Sequence, residues 1–383
     1  MSDRVIYLDH AATTALDRRV LEAMLPYLTT EYGNASSIYT LGRHAMQAID
    51  ASREQVAEIL NCRPTEIAFT GCGSESDNLA IKGVAQAAQK KGNHLITSSI
   101  EHHAVLHTCQ YLERLGFKTT YLPVDGYGRV NPEDVGRAIT DQTVLVSVMY
   151  ANNEVGTIEP VAEIGRICRA RRVPFHIDAV QAGGALPLDV SALNADLLSL
   201  SAHKFYGPKG TGILYIRQGV RVLPQMQGGS QERGRRAGTE NVAGIVGAAT
   251  ALRLAYEDLP EITPRITALR DRLIEGIMKI PGSHLTGHPS ERLPNNASFC
   301  FEGVEGESIL LSLDLLGIAA STGSACTSGS ADPSHVLLAM GLPVALAHGS
   351  LRLTLGKENT EADVDTLLSA LPEIIEKQRS LLV

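Results

Sequence analysis

From about residue 60 to residue 216 the chain alternates short β-branched runs with segments of helical period, and this alternation limits the fold more than any other feature. Glu66–Thr70, His94–Thr97, Lys118–Pro123, Val144–Met149, Pro174–Asp178, Leu197–Leu200 and Gly212–Ile216 read as strands. Between the first two, Ile81, Val84, Ala85 and Ala88 recur at i, i+3, i+4, i+7, the single apolar face of a helix. Val105 to Leu115 reads as the next helix. Strands this continuously apolar are buried on both faces, and helices between them act as crossovers. The expectation is an α/β fold with a mostly parallel sheet covered by helices. In such sheets ligands gather outside the carboxyl ends of the strands, so the residues that follow each strand carry the functional information.

After Gly229 the rhythm changes. A polar, arginine-rich stretch from Gln231 to Asn241 leads into long helical segments from about Val242 to Met278. Residues 295–301, 317–321 and 350–355 then read as strands between helices, a second and smaller α/β layer. With 383 residues there is room for two domains. Residues 16–258 are expected to form the large one, and residues 1–15 and 259–383 the small one. Residues 34 Lys+Arg against 42 Asp+Glu leave a net charge of −8, and a nucleic-acid partner is not expected from an acidic chain. Met1 to His10 lacks a basic-then-apolar leader pattern, and no stretch is long and apolar enough to span a bilayer. A cytoplasmic protein without a membrane partner is therefore expected. The six cysteines, Cys62, Cys72, Cys109, Cys168, Cys300 and Cys326, form no CxxC pair, which argues against a structural zinc site.

Three strand ends carry chemistry. Thr70-Gly71-Cys72-Gly73-Ser74 is a glycine-rich turn between a strand and a helix, where backbone N–H groups at the positive end of the helix dipole suit a phosphate. Taken alone it is as often simply a turn. Asp178 closes a buried strand, which is costly unless the carboxylate pairs with something cationic, although a helix N-cap would also place an Asp there. Lys204 follows a later buried strand beside His203, and a desolvated lysine is a nucleophilic amine. Together they match the demands of pyridoxal phosphate: a phosphate cradle, an Asp for the pyridine nitrogen and a Lys for the aldehyde. His102 falls just past another strand end in Glu101-His102-His103, where it could stack on the ring face, although a lone His is more often structural.

At this point the chain resembles the NifS/IscS-type cysteine desulfurases, fold-type-I pyridoxal-phosphate enzymes of the class V aminotransferase family. The resemblance covers essentially the whole chain. It is carried by Tyr7–Thr14, Gly71–Asn78, Glu101–Val105, Ala151–Gly156, His176–Gln181 and Ala202–Lys204, and most distinctively by Arg235–Asn241 and Ser324–Gly329. It implies a large domain with a seven-stranded, mostly parallel sheet, plus a small α/β domain carrying a catalytic-cysteine loop at about residues 321–332. By resemblance, Lys204 is the Schiff-base lysine, Asp178 the pyridine-nitrogen partner, and His102 the ring-stacking proton shuttle. Gln181 and Asn153 contact the cofactor hydroxyl or the substrate, and Gly73, Ser74, Ser201 and His203 bind the phosphate. Thr239 is donated by the neighbouring subunit of a homodimer, and Arg352 clamps the substrate carboxylate. Departures are small: Ser74 stands where some members have Thr, and Gly33-Asn34-Ala35-Ser36-Ser37 lacks a common proline.

Cys326 alone among the cysteines lies in a Gly/Ser-rich, proline-terminated segment without apolar periodicity, the composition expected of an accessible loop. Cys62 and Cys72 read as turn residues, and Cys109, Cys168 and Cys300 as small core hydrophobes. The resemblance implies that L-cysteine is the substrate, that Lys204 removes its Cα proton, and that Cys326 takes its sulfur as a persulfide while L-alanine departs. The sulfur then passes to an acceptor, an iron–sulfur scaffold or another protein. The chain has no resident metal by this reading, with Cys326 a transient ligand to a nascent iron–sulfur cluster. The motif wording is closer to NifS, associated with nitrogen fixation, than to housekeeping IscS. Rival readings are a selenocysteine lyase or aminotransferase of the same fold, and a non-catalytic sulfur-relay protein that kept the fold.

Overall fold

The structure, a computed structural model, describes residues 5–323 and 333–381. The chain begins with β1 (Ile6–Tyr7), α1 (Arg18–Thr29) and α2 (Thr40–Leu60). The alternating region follows as β2 (Ile67–Thr70), α3 (Gly73–Ala87), β3 (His94–Ser98), α4 (His103–Glu113), β4 (Lys118–Leu122), α5 (Pro132–Ala138), β5 (Thr143–Met149), α6 (Val161–Arg171), β6 (Phe175–Asp178), β7 (Leu197–Ser201) and β8 (Gly212–Ile216). The long α7 (Val242–Ile277) then leads to β9 (Ser283–Thr286), β10 (Asn296–Phe301), α8 (Gly306–Asp314), β11 (Ile318–Ala319), α9 (His335–Ala339), α10 (Val344–Ala347), β12 (Ser350–Thr354) and α11 (Glu361–Leu381).

The expected seven-stranded sheet is present, in the order β2-β8-β7-β6-β5-β3-β4. The pairs β4/β3, β3/β5, β5/β6 and β6/β7 are parallel, and β8 runs antiparallel to both β7 and β2. The reason is local. The chain between Ser201 and Gly212 holds only a single 3₁₀ turn, Ala202–Lys204. A connection that short cannot make a parallel crossover, so the chain doubles back. Strand boundaries otherwise depart from the sequence expectation by one or two residues. Glu66 falls in a 3₁₀ turn rather than in β2, where its carboxylate accepts from Arg63 N (2.8 Å) and Gln218 N (2.6 Å). The helix after β3 starts at His103, because the His102 side chain caps it by accepting from Ala104 N at 3.1 Å.

Two apolar clusters organise the interior. The first gathers the sheet strands with α1, α2, α6 and the first half of α7, from Ala243 to Leu254. The second joins Leu8, the stretch Ile266–Ile277 of α7, β10, β12, α8 and α11. Pro260 and Pro264 lie where α7 passes from one cluster to the other. The N-terminal segment crosses back as well: β1 pairs in parallel with β11, and Asp9 bridges to Thr354. A three-stranded antiparallel sheet, β12-β10-β9, therefore stands across a cleft from the carboxyl edge of the large sheet.

Candidate active site

The carboxyl edge of the large sheet opens on a cavity of about 460 Å³, within the usual range for small-molecule sites. Gly73, Ser74, His102, Asn153, Asp178, Gln181, Ser201, His203, Lys204 and Arg352 all line it, so ten of the sequence-derived residues meet in one place. They arrive from the ends of β2, β3, β5, β6 and β7, with Arg352 coming from β12 on the opposite side. Thr239 is exposed and does not line this cavity, and Cys326 lies outside the described residues.

The phosphate end is built by α3. Its N-cap, Cys72, offers no side-chain hydrogen bond, so the first-turn N–H groups keep their capacity for an anion. Gly73 N–H approaches Ser201 Oγ at 3.3 Å. A Cβ added to Gly73 would stand 2.8 Å from Val180 Cγ2 and 3.1 Å from Ser201 Cβ, so only glycine lets the turn close this tightly. Ser74, Ser201 and His203 complete a donor set suited to a phosphate. Burial, with the charges of Lys204 and Lys209, lowers the His203 pKa to about 4.

The floor is acidic. Asp178 ends β6 opposite Met149 and Ser199, and its Oδ1 accepts from Val180 N at 2.9 Å. Burial raises its pKa to about 6, against the opposing pull of that N–H and of Lys204. His102 is held neutral: desolvation first, then Lys204 and neighbouring histidines, lower its pKa to about 4. A neutral imidazole at a cavity wall can stack on a ring and exchange a proton.

Lys204 Nζ reaches across to the N-terminal turn, donating to Ala12 O at 2.8 Å and, more closely, to Ala11 O. Gln181 Nε2 donates to the same Ala11 carbonyl at 3.0 Å, and His203 Nδ1 lies 3.1 Å from Thr13 Oγ1. On the far wall the buried Arg352 guanidinium pairs with Asp9 (Nη2 to Oδ1, 2.7 Å) and donates from Nη1 to Asn153 O at 2.8 Å. Its Nε is buried and has no hydrogen-bond partner among the described residues. The buried floor acid, the uncapped helix start and the amine-bearing strand end fit pyridoxal phosphate at its nitrogen, phosphate and aldehyde positions respectively.

Sequence reasoning missed several lining residues: Ala11 and Ala12, Cys72, Asp77, Val180 and Gly323. Asp77 was legible in principle. It follows Gly73 by one helical turn, so it faces the cavity on the same side of α3. The Ala11 and Ala12 carbonyls gave no signal, because backbone acceptors carry no residue identity. Among the described cysteines, burial raises the thiol pKa of Cys62, Cys109, Cys168 and Cys300 to about 12, and only Cys72 is exposed. No group of three or more His, Cys, Asp or Glu among the described residues is arranged to hold a metal ion.

Comparison with known proteins agrees with this geometry. The chain is 56% identical over 379 residues to cysteine desulfurase IscS of Methanosarcina thermophila, covering 99% of this chain and 94% of that protein. It is 49% identical to cysteine desulfurase 1 of Trichormus variabilis, covering 98% and 94%. A solved structure described as a NifS-like protein superposes with a TM-score of 0.92 at 42% identity, covering 98% of this chain and 100% of the other. A second, SspA in complex with cysteine, gives a TM-score of 0.82 at 38% identity, covering 91% and 98%. The aminotransferase class-V family matches residues 6–367, and the chain belongs to that family.

Proposed function

We propose that the chain is a cysteine desulfurase that converts L-cysteine to L-alanine and delivers the sulfur, through the Cys326 thiol, to an acceptor protein. The observation that carries this reading is the meeting of Lys204, Asp178 and His102 at one cavity whose opposite wall is Arg352. Pyridoxal phosphate, held by Gly73, Ser74, Ser201 and His203 at its phosphate and by Asp178 at its ring nitrogen, supplies an electron sink for charge developing at the substrate Cα. Arg352 binds the substrate carboxylate, its guanidinium exchanging contacts with Asp9 for contacts with the incoming anion. Lys204 Nζ, released from the Ala11 and Ala12 carbonyls, takes the Cα proton. Neutral His102 holds or returns a proton at its ring nitrogen. The Cys326 thiolate attacks the substrate sulfur: the S–S bond forms as the substrate Cβ–S bond breaks, the electron pair of that bond stays on Cβ and takes a proton there, and L-cysteine and a thiol become L-alanine and a persulfide.

The working form is a homodimer. Leu28, Tyr32, Ile38 and Tyr39, on α1 and the stretch leading into α2, are exposed, Ile38 to 89% and Tyr32 to 72%, and supply apolar side chains that a second copy could cover. Thr239, exposed and not a lining residue of its own chain's cavity, is available to a second copy. The chain is read as a large domain, 16–258, and a small one, 1–15 with 259–383, a division the two apolar clusters support. The acceptor is an iron–sulfur scaffold protein or a similar thiol carrier, and the reaction takes place in the cytoplasm. No helix among the described residues is long and apolar enough to cross a membrane.

The test is direct. The purified protein with pyridoxal phosphate is given L-cysteine, alanine is quantified, and the persulfide is located by mass spectrometry. Alanine production with persulfide on Cys326, lost in Cys326→Ser, is the expected result. Alanine production with the persulfide found elsewhere overturns the role of Cys326, and no alanine at all overturns the activity.

A further inference from the structure

Beneath Asp178 lie two more buried acids that the reaction above does not use. Asp77, on α3 one turn after Gly73, is 1% exposed and lines the cavity. Its Oδ1 has no hydrogen-bond partner among the described residues, the Ser199 side chain hydrogen-bonds its carboxyl, and His176 Nε2 lies 3.6 Å from Oδ1. That imidazole is already committed: Nδ1 faces Ser147 Oγ at 2.8 Å and Nε2 faces Ser199 Oγ at 2.9 Å. Glu101, just past β3, is completely buried. Its Oε1 accepts from Ser98 Oγ at 2.5 Å and from Met149 N at 3.0 Å, while Oε2 has no partner among the described residues.

The charge balance of this floor is lopsided. Asp178 on β6, Asp77 on α3 and Glu101 after β3 act on one another, with Glu159 adding to Glu101 and no arginine among the influences on Asp77 or Glu101. The cation acting on the floor is Lys204, which acts on Asp178. His176 on β6 is no counter-charge, because complete burial lowers its pKa to about 3 and keeps it neutral. Cys109 on α4 also faces Glu101, with its thiol pushed up to about 12. Three carboxylates in a low-dielectric site beside one ammonium cannot all ionise. Burial and mutual repulsion raise Glu101 to about 8 and Asp77 well above the usual carboxylate range, with Asp178 the lowest of the three where values are resolved.

We infer that Asp77 and Glu101 are positioning residues that form a proton-holding layer, two neutral carboxylic acids that leave Asp178 the single carboxylate of the cavity floor. The layer concentrates the negative charge of the floor on the one oxygen pair that meets the ring nitrogen. This rests on the reading of the cavity as a pyridoxal-phosphate site, yet its main signature needs no cofactor. A group whose folded pKa is raised keeps its proton in the native state while the unfolded chain has lost it. Its stabilising effect is complete below the unfolded pKa and disappears as pH rises through the folded value.

The experiment uses the full-length chain stripped of pyridoxal phosphate, with Asp77→Asn and Glu101→Gln as isosteres of the neutral acids. Infrared difference spectra at neutral pH should show the C=O band of protonated carboxylic acids in the wild type, weakened in each variant. The wild-type unfolding midpoint should fall between about pH 5 and about pH 8, and the fall should be shallower in each variant. Pyridoxal phosphate should bind both variants within about threefold of wild type, because the neutral form is preserved. Absence of the acid band, an unchanged pH slope, or binding weakened more than about tenfold in Asp77→Asn overturns the inference and makes Asp77 an ionised partner of His176. Failure of the wild type itself to bind pyridoxal phosphate removes instead the reading of the cavity, and the infrared band and pH slope still decide the protonation of the two acids.

Discussion

The two sides of the cavity are built on different physical terms. On the sheet side, functional groups sit at the ends of β5, β6 and β7, strands buried along their whole length, and packing fixes them. On the opposite side, Arg352 and the Asp9–Thr14 turn belong to the second cluster of elements and meet the sheet through hydrogen bonds: Arg352 to Asp9 and Asn153, Lys204 to Ala12, and Thr14 N to His203 O at 2.9 Å. Packing cannot be exchanged for a ligand, whereas a hydrogen bond can. The sheet side is therefore suited to a permanently held cofactor, and the opposite side to a substrate that comes and goes.

The most severe way to break the sheet side is Lys204→Ala. Removing a positioned proton-transfer group costs about 10²–10⁴-fold. Alanine production should fall by about 10³-fold or more, and the visible absorbance that pyridoxal phosphate gains on binding should change, while the circular dichroism of the fold stays the same. Retention of a tenth of the activity would remove Lys204 from the mechanism.

Arg352→Ala breaks the opposite side. A charge-assisted pair is worth about 1.5–3 kcal/mol, so kcat/KM for L-cysteine should fall by roughly 10- to 150-fold, mainly through KM. Pyridoxal phosphate should bind nearly as before, since Arg352 is not among the phosphate or ring partners. Arg352→Lys should recover part of the loss, because charge returns without the two-pronged geometry. A variant that loses the cofactor and not the substrate would erase the distinction between the two sides.

The sheet side was largely legible in the sequence and the opposite side was not, for the same physical reason. Strands buried on both faces leave a continuous apolar run that any window detects, and the residue after each run is then at the carboxyl edge. That is how Asp178, Lys204 and Gly73 could be read from the residues themselves. Arg352 stands inside the short strand Ser350–Thr354, and nothing in its neighbours says that it meets Asp9, 343 residues away. Its role came from resemblance. The antiparallel turn of β8 was hidden too, because an apolar strand reads the same in either direction. Asp77 was legible only through its helical spacing from Gly73, and Glu101 escaped because its partners, Ser98 Oγ and Met149 N, leave no pattern in the sequence around it.

Gly73→Ala applies a smaller perturbation to the sheet side. The new methyl would meet Val180 Cγ2 at 2.8 Å, and relief requires the α3 start or the residue after Asp178 to shift. Overpacking of this kind costs about 1–3 kcal/mol, so affinity for pyridoxal phosphate should weaken by roughly 5- to 150-fold. The KM for L-cysteine, set across the cavity at Arg352, should change much less. Equal losses in both would mean that the two walls move as one body.

The smallest expected effect is that of Cys72→Ser, and it sharpens the comparison because Cys72 is the exposed thiol at the sheet side. It is the N-cap residue of α3, at the end of the cavity proposed for the phosphate, while Arg352, proposed to bind the substrate carboxylate, stands on the opposite wall beside Gly323, whose carbonyl lies 3.4 Å from Arg352 Nη1. Residue 323, on the Arg352 wall, is the last described position before the segment that contains Cys326. A sulfur carrier must reach the substrate side chain, and a thiol at the phosphate end is anchored to the side of the cavity that packing holds still. Persulfide formation in Cys72→Ser should stay within about twofold of wild type, read by mass spectrometry after a single turnover with L-cysteine. A persulfide that disappears with Cys72 would place the sulfur-accepting group on the sheet side, and the division of labour between a fixed cofactor wall and an exchangeable substrate wall would fail.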